Sequence, residues 1–357
     1  MIRRTVPQKT ISKESTLSGV GLHTGENVEL TFKPAPSNTG LVFIREDIDG
    51  DNLIEAHIKY ISNTDRGTNL DNGSFRIQTS EHVLAALTGL GIDNCFICLS
   101  GAEVPIMDGS SKFFIEAIEE AKIVEQNALR EEFFPSEKIS YLCEESGSKI
   151  SIIPNEIYSV DTKVDYDTKV LGTQTANLKD ISEFKNEISS ARTFSFLHEL
   201  ETLLENGLIK GGDLNNAIVY VDKPLDNSNM DRLKQAFNKD SISVKENGIL
   251  DNLSLHYPNE AARHKLLDVI GDLALIGMKI RGKVIAEKPG HSINAKFAQK
   301  VSEVIKSNRK NILPKLNFEK KPLMDSSQIM DIIPHRPPFL LIDEVLELSD
   351  SHVIGLR

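Results

Sequence analysis

The sequence has few cysteines and no long apolar run, and both absences limit what the chain can be. Its 357 residues include three cysteines, Cys95, Cys98 and Cys143. We see no disulfide framework in them, so we expect a reducing compartment. No apolar run approaches the ~20 residues needed to span a bilayer, and no apolar stretch follows the first charged residues as it would in a signal peptide. These features predict a soluble, cytoplasmic protein.

Basic residues are too few for a general nucleic-acid binder. Lys and Arg number 41 against 52 Asp and Glu, which gives a net charge of −11. Nucleic-acid binding depends on clustered Lys and Arg that displace counterions from phosphates. The composition argues against that class, although a local basic patch could still receive an anionic substrate.

Cys95 and Cys98 are spaced as C-x-x-C, a pattern found in redox and metal sites. They lie in the apolar stretch 94–99, which is typical of a buried strand. Residues three apart on a strand point to opposite faces, so the two thiols would not converge. We expect both to be core residues.

The order of the apolar patterns predicts an α+β protein with two domains. A chain of this length exceeds the ~250–300 residues of a single core, and its strand-like and helical patterns do not follow strict β-α-β alternation. The predicted helices are 80–88, 112–121, 197–205 and 261–275, and the predicted strands are 28–32, 40–43, 95–99, 149–153, 159–164, 217–221 and 282–286.

Changes in composition give the boundaries. The sequence turns polar near residue 126, so we place a first domain at 1–126 and a second at 127–305. Within the second, the polar stretch 222–257 is typical of a surface excursion. Residues 306–323, rich in basic residues and proline, predict a linker. The apolar pattern that returns at 324–357 predicts a further segment.

The clearest chemical pattern is a helix with polar residues on one face. Residues four apart on a helix lie on the same face, so His264, Asp268 and Asp272 form a stripe among apolar neighbours. An imidazole and a carboxylate one turn apart are suitable zinc ligands. The alternative is a salt bridge on a solvated face, but the apolar neighbours favour a buried site, because buried titratable groups require partners.

Two further patterns contain histidine. Glu81 and His82 begin a predicted helix that Ser80 or Thr79 can cap. A Glu beside a metal-binding His recurs in zinc hydrolases, where the carboxylate takes a proton from metal-bound water, but Glu in a first turn is also an ordinary partner of the helix dipole. His291 lies on a predicted turn after a strand. A histidine there can move protons near neutral pH, but it can also be merely an exposed residue.

These patterns resemble, in order, the motifs of one family. They are 19–25 (GVGLHTG), 80–82 (SEH), 89–94 (GLGIDN), 105–110 (PIMDGS), 191–194 (ARTF), 263–272 (RHKLLDVIGD) and 288–291 (KPGH). The family is that of the UDP-3-O-acyl-N-acetylglucosamine deacetylases of lipid A synthesis, known as LpxC. The resemblance implies a two-domain fold in which each domain is a sheet packed against helices, with the active site between them.

The resemblance also implies the reaction and its metal. The reaction would be zinc-dependent hydrolysis of the acetamide of UDP-3-O-(3-hydroxyacyl)-N-acetylglucosamine, which releases acetate in the committed step of lipid A biosynthesis. Zn²⁺ would be held by His82, His264 and Asp268, with one coordination position left for water.

Catalytic roles follow from the same resemblance. Glu81 would be the general base. His291, held protonated by Asp272, would stabilise the oxyanion and protonate the departing amine. Thr193 would give the same oxyanion a hydroxyl donor.

For substrate binding, the resemblance implies Lys265 and Phe194 beside the reacting group. It also implies a hydrophobic passage for the acyl chain, in which the small residues Gly212 and Ala217 would leave space, although an ordinary strand core is the alternative. This sequence departs from the family at 66–70, where Cys and Thr are usual, and its 222–257 excursion is longer than in compact members. Both departures leave details of substrate specificity open.

Residues 331–345 (DIIPHRPPFLLIDEV) resemble the opening of the 3-hydroxyacyl-[acyl-carrier-protein] dehydratases, which are FabZ-like enzymes with a hot-dog fold. The His-Phe-Pro-Gly motif and catalytic Glu of those enzymes are not among the 357 residues, so His335 is not taken as their base. The resemblance implies a fusion as in bifunctional LpxC/FabZ enzymes, with 324–357 as a truncated hot-dog segment. Acyl carrier protein would be a partner only through the complete dehydratase domain.

Two rival functions can be compared with the deacetylase. A dehydratase is rejected for this chain because its catalytic residues are missing. A non-catalytic module that binds a nucleotide sugar or a lipid would have no need of the Glu81 and His291 pair.

Overall fold

A computed structural model describes residues 1–199, 216–222, 234, 241–250, 253–312, 321–348 and 353–357. Its contacts divide the chain into two units, Met1–Asn308 and Arg309–Arg357. Gly212 and most of the excursion 222–257 lie outside the described residues, as does the part of the predicted helix 197–205 that follows residue 199. None of the helices in the described ranges is both long enough and apolar enough to cross a bilayer.

Two five-stranded sheets form the frame of the first unit. The strands of the first sheet are β2 (Ser15–Val20), β3 (Asn27–Pro34), β4 (Leu41–Arg45), β5 (Leu53–Glu55) and β9 (Cys95–Leu99). The strands of the second are β11 (Ile139–Leu142), β12 (Lys149–Ile153), β13 (Tyr158–Asp165), β14 (Thr173–Leu178) and β18 (Gly282–Glu287). Cys95 and Cys98 are buried in β9 without a disulfide, so the prediction that they are core residues is confirmed.

The two sheets have the same topology. The first has the order β2-β3-β9-β4-β5 and the second the order β11-β12-β18-β13-β14. In each, the third and fourth strands are parallel, and all other neighbours are antiparallel. In each sheet, one strand of the parallel pair, β9 or β18, is the last strand of that sheet along the chain. The order in which the chain passes through the strands is therefore also alike in the two sheets.

Helices occur at corresponding places beside the two sheets. α1 (Glu81–Gly89) precedes β9 and α4 (Glu260–Ala274) precedes β18, while α2 (Lys112–Glu120) follows β9 and α5 (His291–Ile312) follows β18. A short α3 (Phe184–Glu187) follows β14. The mixed content of sheets and helices agrees with the predicted α+β class.

The described residues of the first unit also form three smaller sheets. Their strands are β1 (Ile2–Ile11), β6 (Ile61–Asn63), β7 (Asn69–Asp71), β8 (Arg76–Ile77), β10 (Ile123–Phe133), β15 (Phe194–Phe196), β16 (Ile218–Tyr220) and β17 (Lys279–Ile280). The sheets have the strand orders β1-β10-β17, β6-β7-β8 and β15-β16. The predicted domain boundary at residue 126 falls inside β10, whose polar sequence reflects exposed side chains rather than a loop.

The first residues of the segment 306–323 are helical, and its role as a linker stays a prediction. Helix α5 continues to Ile312, so residues 306–312 are helical. Phe297, Val301 and Ile305 are buried and lie four residues apart, so the apolar face of the helix continues up to residue 305.

The second unit contains a small antiparallel sheet. β19 (Met324–Asp325), β20 (Glu344–Leu348) and β21 (Val353–Leu356) lie in that order, and α6 (Ser326–Ile332) follows β19. Asp325 and Gln328 form a capping box at the start of α6. Phe339 and Leu341 are exposed over 75% and 57% of their surface. These short elements do not distinguish a hot-dog fold from another small fold, so the truncated hot-dog segment stays a prediction.

The contact between α1 and α4 joins the two halves of the first unit. Both helices are largely buried, and they pack directly on each other. A Cβ added at Gly271 of α4 would lie 2.1 Å from the carbonyl oxygen of Glu81 in α1. Only glycine fits this position without moving one of the helices, so the close approach of the two backbones depends on it.

Replacing this glycine should therefore be costly. We expect Gly271→Ala to lower the free energy of unfolding by about 1–3 kcal/mol, because the added methyl group overpacks the helix contact. The measurement is urea denaturation followed by circular dichroism. Gly290→Ala is the control, since a Cβ there meets nothing within 4 Å. Equal stability of the two variants would show that α1 and α4 are not in close contact.

Candidate metal centre

The two packed helices bring three buried side chains together. His82 lies in the first turn of α1, and His264 and Asp268 lie one turn apart on α4. One possible ligand atom from each lies within 4.8 Å of the others, and all three residues are buried. The helical stripe expected from the sequence is buried rather than solvated, and His82 meets it from the other helix.

The carboxylate of Asp268 has one oxygen available at the centre of this group. Its Oδ1 lies 3.7 Å from His82 Nε2 and 3.4 Å from His264 Nε2. Oδ1 is buried and has no hydrogen-bond partner among the residues described. Oδ2 instead accepts a hydrogen bond from Lys265 Nζ at 2.8 Å. A buried carboxylate oxygen without a donor is costly, so a cation is the partner that this position lacks.

A hydrogen bond to a backbone carbonyl group fixes the orientation of the His264 ring. Its Nδ1 lies 3.1 Å from the carbonyl oxygen of Ala191, so Nδ1–H donates to that oxygen. The other ring nitrogen, Nε2, then carries the lone pair on the side of Asp268. A backbone carbonyl that holds the far nitrogen of a histidine in this way is typical of metal-binding imidazoles. The rings of His82 and His264 are nearly perpendicular, with centroids 5.0 Å apart.

Protonation states also suit a metal ion. Burial lowers the pKa of His82 to about 3, with a further contribution from His264, and burial lowers the pKa of His264 as well. Burial would raise the pKa of Asp268, but His264 and Lys265 outweigh it and hold the pKa well below its usual range. Two neutral imidazoles and one carboxylate form a donor set that zinc prefers. The residues present therefore fit a zinc ion.

Glu81 lies beside this group and is itself buried. Its Oε2 accepts a hydrogen bond from the backbone N–H of Thr68 at 2.9 Å, and its Oε1 lies 3.9 Å from His291 Nε2. Burial raises the pKa of Glu81 to about 7, the negative charges of Asp272 and Asp268 add to the increase, and His291 opposes it. A carboxyl group with this pKa can take up and release a proton near neutral pH.

His291 is not on a turn, as the sequence predicted, but is the first residue of the 22-residue helix α5. Its Nδ1 lies 3.0 Å from Asp272 Oδ2 and its Nε2 lies 3.9 Å from Asp268 Oδ2. Burial would lower the pKa of His291, but Asp272 and Glu81 outweigh it and raise the pKa to about 9. His291 is therefore cationic at neutral pH.

Two further residues, which the sequence did not indicate, donate hydrogen bonds to the carboxylate of Asp272. Thr68 Oγ1 donates to Asp272 Oδ1 at 2.5 Å, and Asn294 Nδ2 donates to Asp272 Oδ2 at 2.8 Å. Both residues are fully buried. Asn294 lies one turn after His291, a spacing that could have indicated it had α5 been predicted. Thr68 lies in the stretch 66–70, which the sequence analysis noted only as a departure.

The start of α1 is also held differently from the prediction. Ser80 occupies the N-cap position, but its hydroxyl donates to the carbonyl oxygen of Thr68 at 2.8 Å and does not cap the helix. Thr79 has a φ of 58° and donates its hydroxyl to Glu103 Oε1 at 3.0 Å. A positive φ is strained for a β-branched residue, so these two hydrogen bonds fix the backbone that leads into Glu81 and His82.

Two of the predicted substrate residues, Phe194 and Lys265, lie near the metal ligand His264. The Phe194 ring lies 6.4 Å from the His264 ring, and Lys265 Nζ lies 5.5 Å from the Phe194 centroid. Thr193 follows two residues after Ala191, and its backbone N–H donates to the carbonyl oxygen of Gly109 at 2.8 Å. The role of its hydroxyl stays a prediction.

The predicted acyl passage can be assessed only in part, because Gly212 lies outside the described residues. Ala217 is half-buried and precedes Ile218, which pairs with Phe194 in the parallel pair of β15 and β16. Phe194 also meets the ring of Tyr166 at 5.6 Å and that of Tyr220 at 5.7 Å. This cluster of rings adjoins His264 through Phe194.

Comparison with known proteins agrees with the family resemblance of the sequence motifs. The family model described as LpxC, UDP-3-O-acyl N-acetylglycosamine deacetylase, matches residues 8–238 and 227–303. The bifunctional enzyme LpxC/FabZ of Bacteroides thetaiotaomicron is 41% identical over 350 residues, which cover 98% of this chain and 76% of that protein. The UDP-3-O-acyl-N-acetylglucosamine deacetylase of Myxococcus xanthus is 38% identical over 295 residues, which cover 82% of this chain and 86% of that protein.

The donor set predicts a metal-dependent gain in stability. Adding zinc to metal-free protein should raise its melting temperature, because a ligand that binds only the folded state stabilises that state. Asp268→Ala should abolish the rise, since it removes the carboxylate from the centre of the group. Differential scanning fluorimetry measures both. His335→Ala is the control and should keep the rise. Zinc that stabilises Asp268→Ala as strongly as the unmodified protein would show that the ion binds elsewhere.

Proposed function

The chain belongs to the LpxC family, and on that premise we propose that it is a zinc-dependent deacetylase of UDP-3-O-(3-hydroxyacyl)-N-acetylglucosamine. It would hydrolyse the acetamide and release acetate, the committed step of lipid A biosynthesis. The observation that carries the proposal is the buried group of His82, His264 and Asp268 with Glu81 and His291 beside it. A module that only binds a nucleotide sugar or a lipid has no use for that arrangement.

His82, His264 and Asp268 would hold the zinc ion. When bound, zinc supplies Lewis-acid chemistry, which polarises a carbonyl and makes a water molecule acidic enough to attack near neutral pH. The hydrogen bonds from Lys265 to Asp268 Oδ2 and from His264 to Ala191 keep the ligand atoms oriented. The residues around the ligands therefore prepare the site before the substrate binds.

Glu81 would be the general base. With Oε2 held by the N–H of Thr68, Oε1 is the oxygen that takes a proton from the attacking water. Its raised pKa, about 7, suits a group that must accept the proton and later release it. A carboxylate with an ordinary pKa would release the proton too readily to serve in both directions at neutral pH.

His291 would be the general acid. Because its Nδ1 is engaged with Asp272, the transferable proton is on Nε2, which faces Glu81 and Asp268. The imidazolium would stabilise the developing oxyanion, with Thr193 as a second donor. As the bond between the carbonyl carbon and the nitrogen breaks, Nε2 would protonate the amine. Return of the proton from Glu81 to His291 then restores both groups.

We further propose that Lys265, Phe194, Gly212 and Ala217 bind the substrate. Lys265 would meet a phosphate or the reacting end of the substrate, near the metal ligands. The rings of Tyr166 and Phe194, with the buried ring of Tyr220 packed against Phe194, would offer the apolar contact that an acyl chain requires.

The second unit would be the beginning of a dehydratase domain. Support comes from the resemblance of 331–345 to FabZ-like enzymes and from the printed name of the Bacteroides relative, LpxC/FabZ. Acyl carrier protein would interact with the complete dehydratase domain. Hydration and dehydration of 3-hydroxyacyl chains would likewise be the activity of the complete dehydratase domain.

Removal of the base should separate catalysis from metal binding. We expect Glu81→Gln to lower kcat for acetate release at least ~10²-fold, since proton transfer by a positioned group contributes that much. Zinc content, measured by atomic absorption, should stay at the level of the unmodified protein. A variant that turns over at the normal rate would mean that another group is the base.

The Asp272–His291 pair predicts a change in pH dependence. Asp272 raises the pKa of His291, and the cationic form is the active acid, so activity should fall as the pH rises through that pKa. Asp272→Asn removes the negative charge, lowers the pKa of His291, and should therefore move the alkaline limb of kcat/KM to lower pH. The pH profiles of both proteins measure this. An alkaline limb at the same pH in both would show that it does not report His291.

A further inference from the structure

Thr68 lies between the two groups to which the proposed function assigns proton transfer. Its backbone N–H donates to Glu81 Oε2 at 2.9 Å, and its hydroxyl donates to Asp272 Oδ1 at 2.5 Å. The same hydroxyl oxygen lies 3.3 Å from His291 Nδ1. We infer that Thr68 is a positioning residue that aligns the base and the acid with each other, an inference that rests on the proposed function.

The backbone of Thr68 is fixed relative to Glu81. Its carbonyl oxygen accepts hydrogen bonds from the N–H of Ser80 at 3.2 Å and from the Ser80 hydroxyl at 2.8 Å. A Cβ at the preceding residue, Gly67, would lie 3.1 Å from Glu81 Oε1, so this backbone passes directly against the carboxylate. The peptide groups of residue 68 thus hold the start of α1 and the orientation of Glu81 together.

The side chain of Thr68 is the connection to the acid. Asp272 Oδ2 accepts hydrogen bonds from Asn294 Nδ2 and His291 Nδ1. The other oxygen of the same carboxylate, Oδ1, accepts a hydrogen bond from the hydroxyl of Thr68. Within the described ranges no other hydrogen bond to Oδ1 is found. Without the hydroxyl, Oδ1 would be a buried acceptor lacking its donor. The carboxylate would then turn toward the remaining donors and carry the His291 ring with it.

Solvent cannot replace this hydroxyl. Thr68 and Asp272 are both 0% exposed, so neither reaches bulk water. Substitution by valine would put a methyl group of similar size where the hydroxyl is, which leaves no space for a water molecule. The effect of removing the hydroxyl should therefore be retained rather than compensated by solvent.

The test is acetate release by Thr68→Val. We expect kcat to fall about tenfold or more, because a small misplacement of a catalytic group strongly lowers the rate. KM should change less than about twofold, because the alignment acts in the transition state. Zinc content should be unchanged. Thr68→Ser, which keeps the hydroxyl, should recover most of kcat. If the valine variant does not fold, Thr68→Ala removes the hydroxyl without adding volume and should show the same loss.

Thr88→Val is the matched control. Thr88 is also buried, and its hydroxyl has no hydrogen-bond partner in the part of the chain that the structure describes. The same chemical change should leave kcat within about twofold of the unmodified value, since no aligned group depends on it. An equal loss in Thr88→Val would overturn the inference, because it would show a general effect of the substitution on the buried core.

A double-mutant cycle identifies the partner through which Thr68 acts. In an Asp272→Asn background, Thr68→Val should reduce kcat by less than about twofold further, because the two residues belong to one interaction. Multiplicative losses would contradict the inference, as would a normal kcat in Thr68→Val or a serine variant as slow as the valine variant. Lack of acetate release by the unmodified zinc-loaded protein would instead refute the proposed function.

Discussion

Gly271 allows α4 to approach α1 so closely that any side chain at this position would collide with the carbonyl oxygen of Glu81. The metal ligands are divided between these helices, His82 on α1 and both His264 and Asp268 on α4. Glu81 and Asp272, which flank the ligands on the same helices, depend on the same approach. The chemistry of the site therefore rests on one contact between two backbones, and the surrounding sheets keep the helices in place.

Burial shifts the pKa values of the groups at this contact in two directions. It keeps His82 and His264 neutral by lowering the pKa of each, and it raises the pKa of Glu81 to about 7. At His291 the charge of Asp272 outweighs burial and raises the pKa to about 9. Groups with such different environments can have different tasks at one pH. Asp268 Oδ1 is buried at the same contact and has no hydrogen-bond partner among the described residues, which favours a bound cation.

Local sequence predicted the parts of the site that depend on helical spacing. The interval from His264 to Asp268 indicated a common face, and Glu81 and His82 were recognised as the start of a helix. His291 was mistaken for a turn residue, because Pro289 and Gly290 immediately before it are typical of a turn, and Ile293 is the one large apolar residue in the first turn of α5. The contribution of Thr68 could not be predicted, since its partner Asp272 is 204 positions away. The common topology of the two sheets was equally hidden, because strand order carries no signature in residue identity.

Acetate release from the UDP-sugar, measured on one protein sample before and after removal of its metal, tests the central claim most directly. Chelation followed by dialysis should abolish turnover, and one equivalent of zinc per chain should restore it, since His82, His264 and Asp268 form a single site. Full turnover by protein shown to be free of metal would contradict the account, because Glu81 and His291 would then suffice without the ion that the site is built to hold.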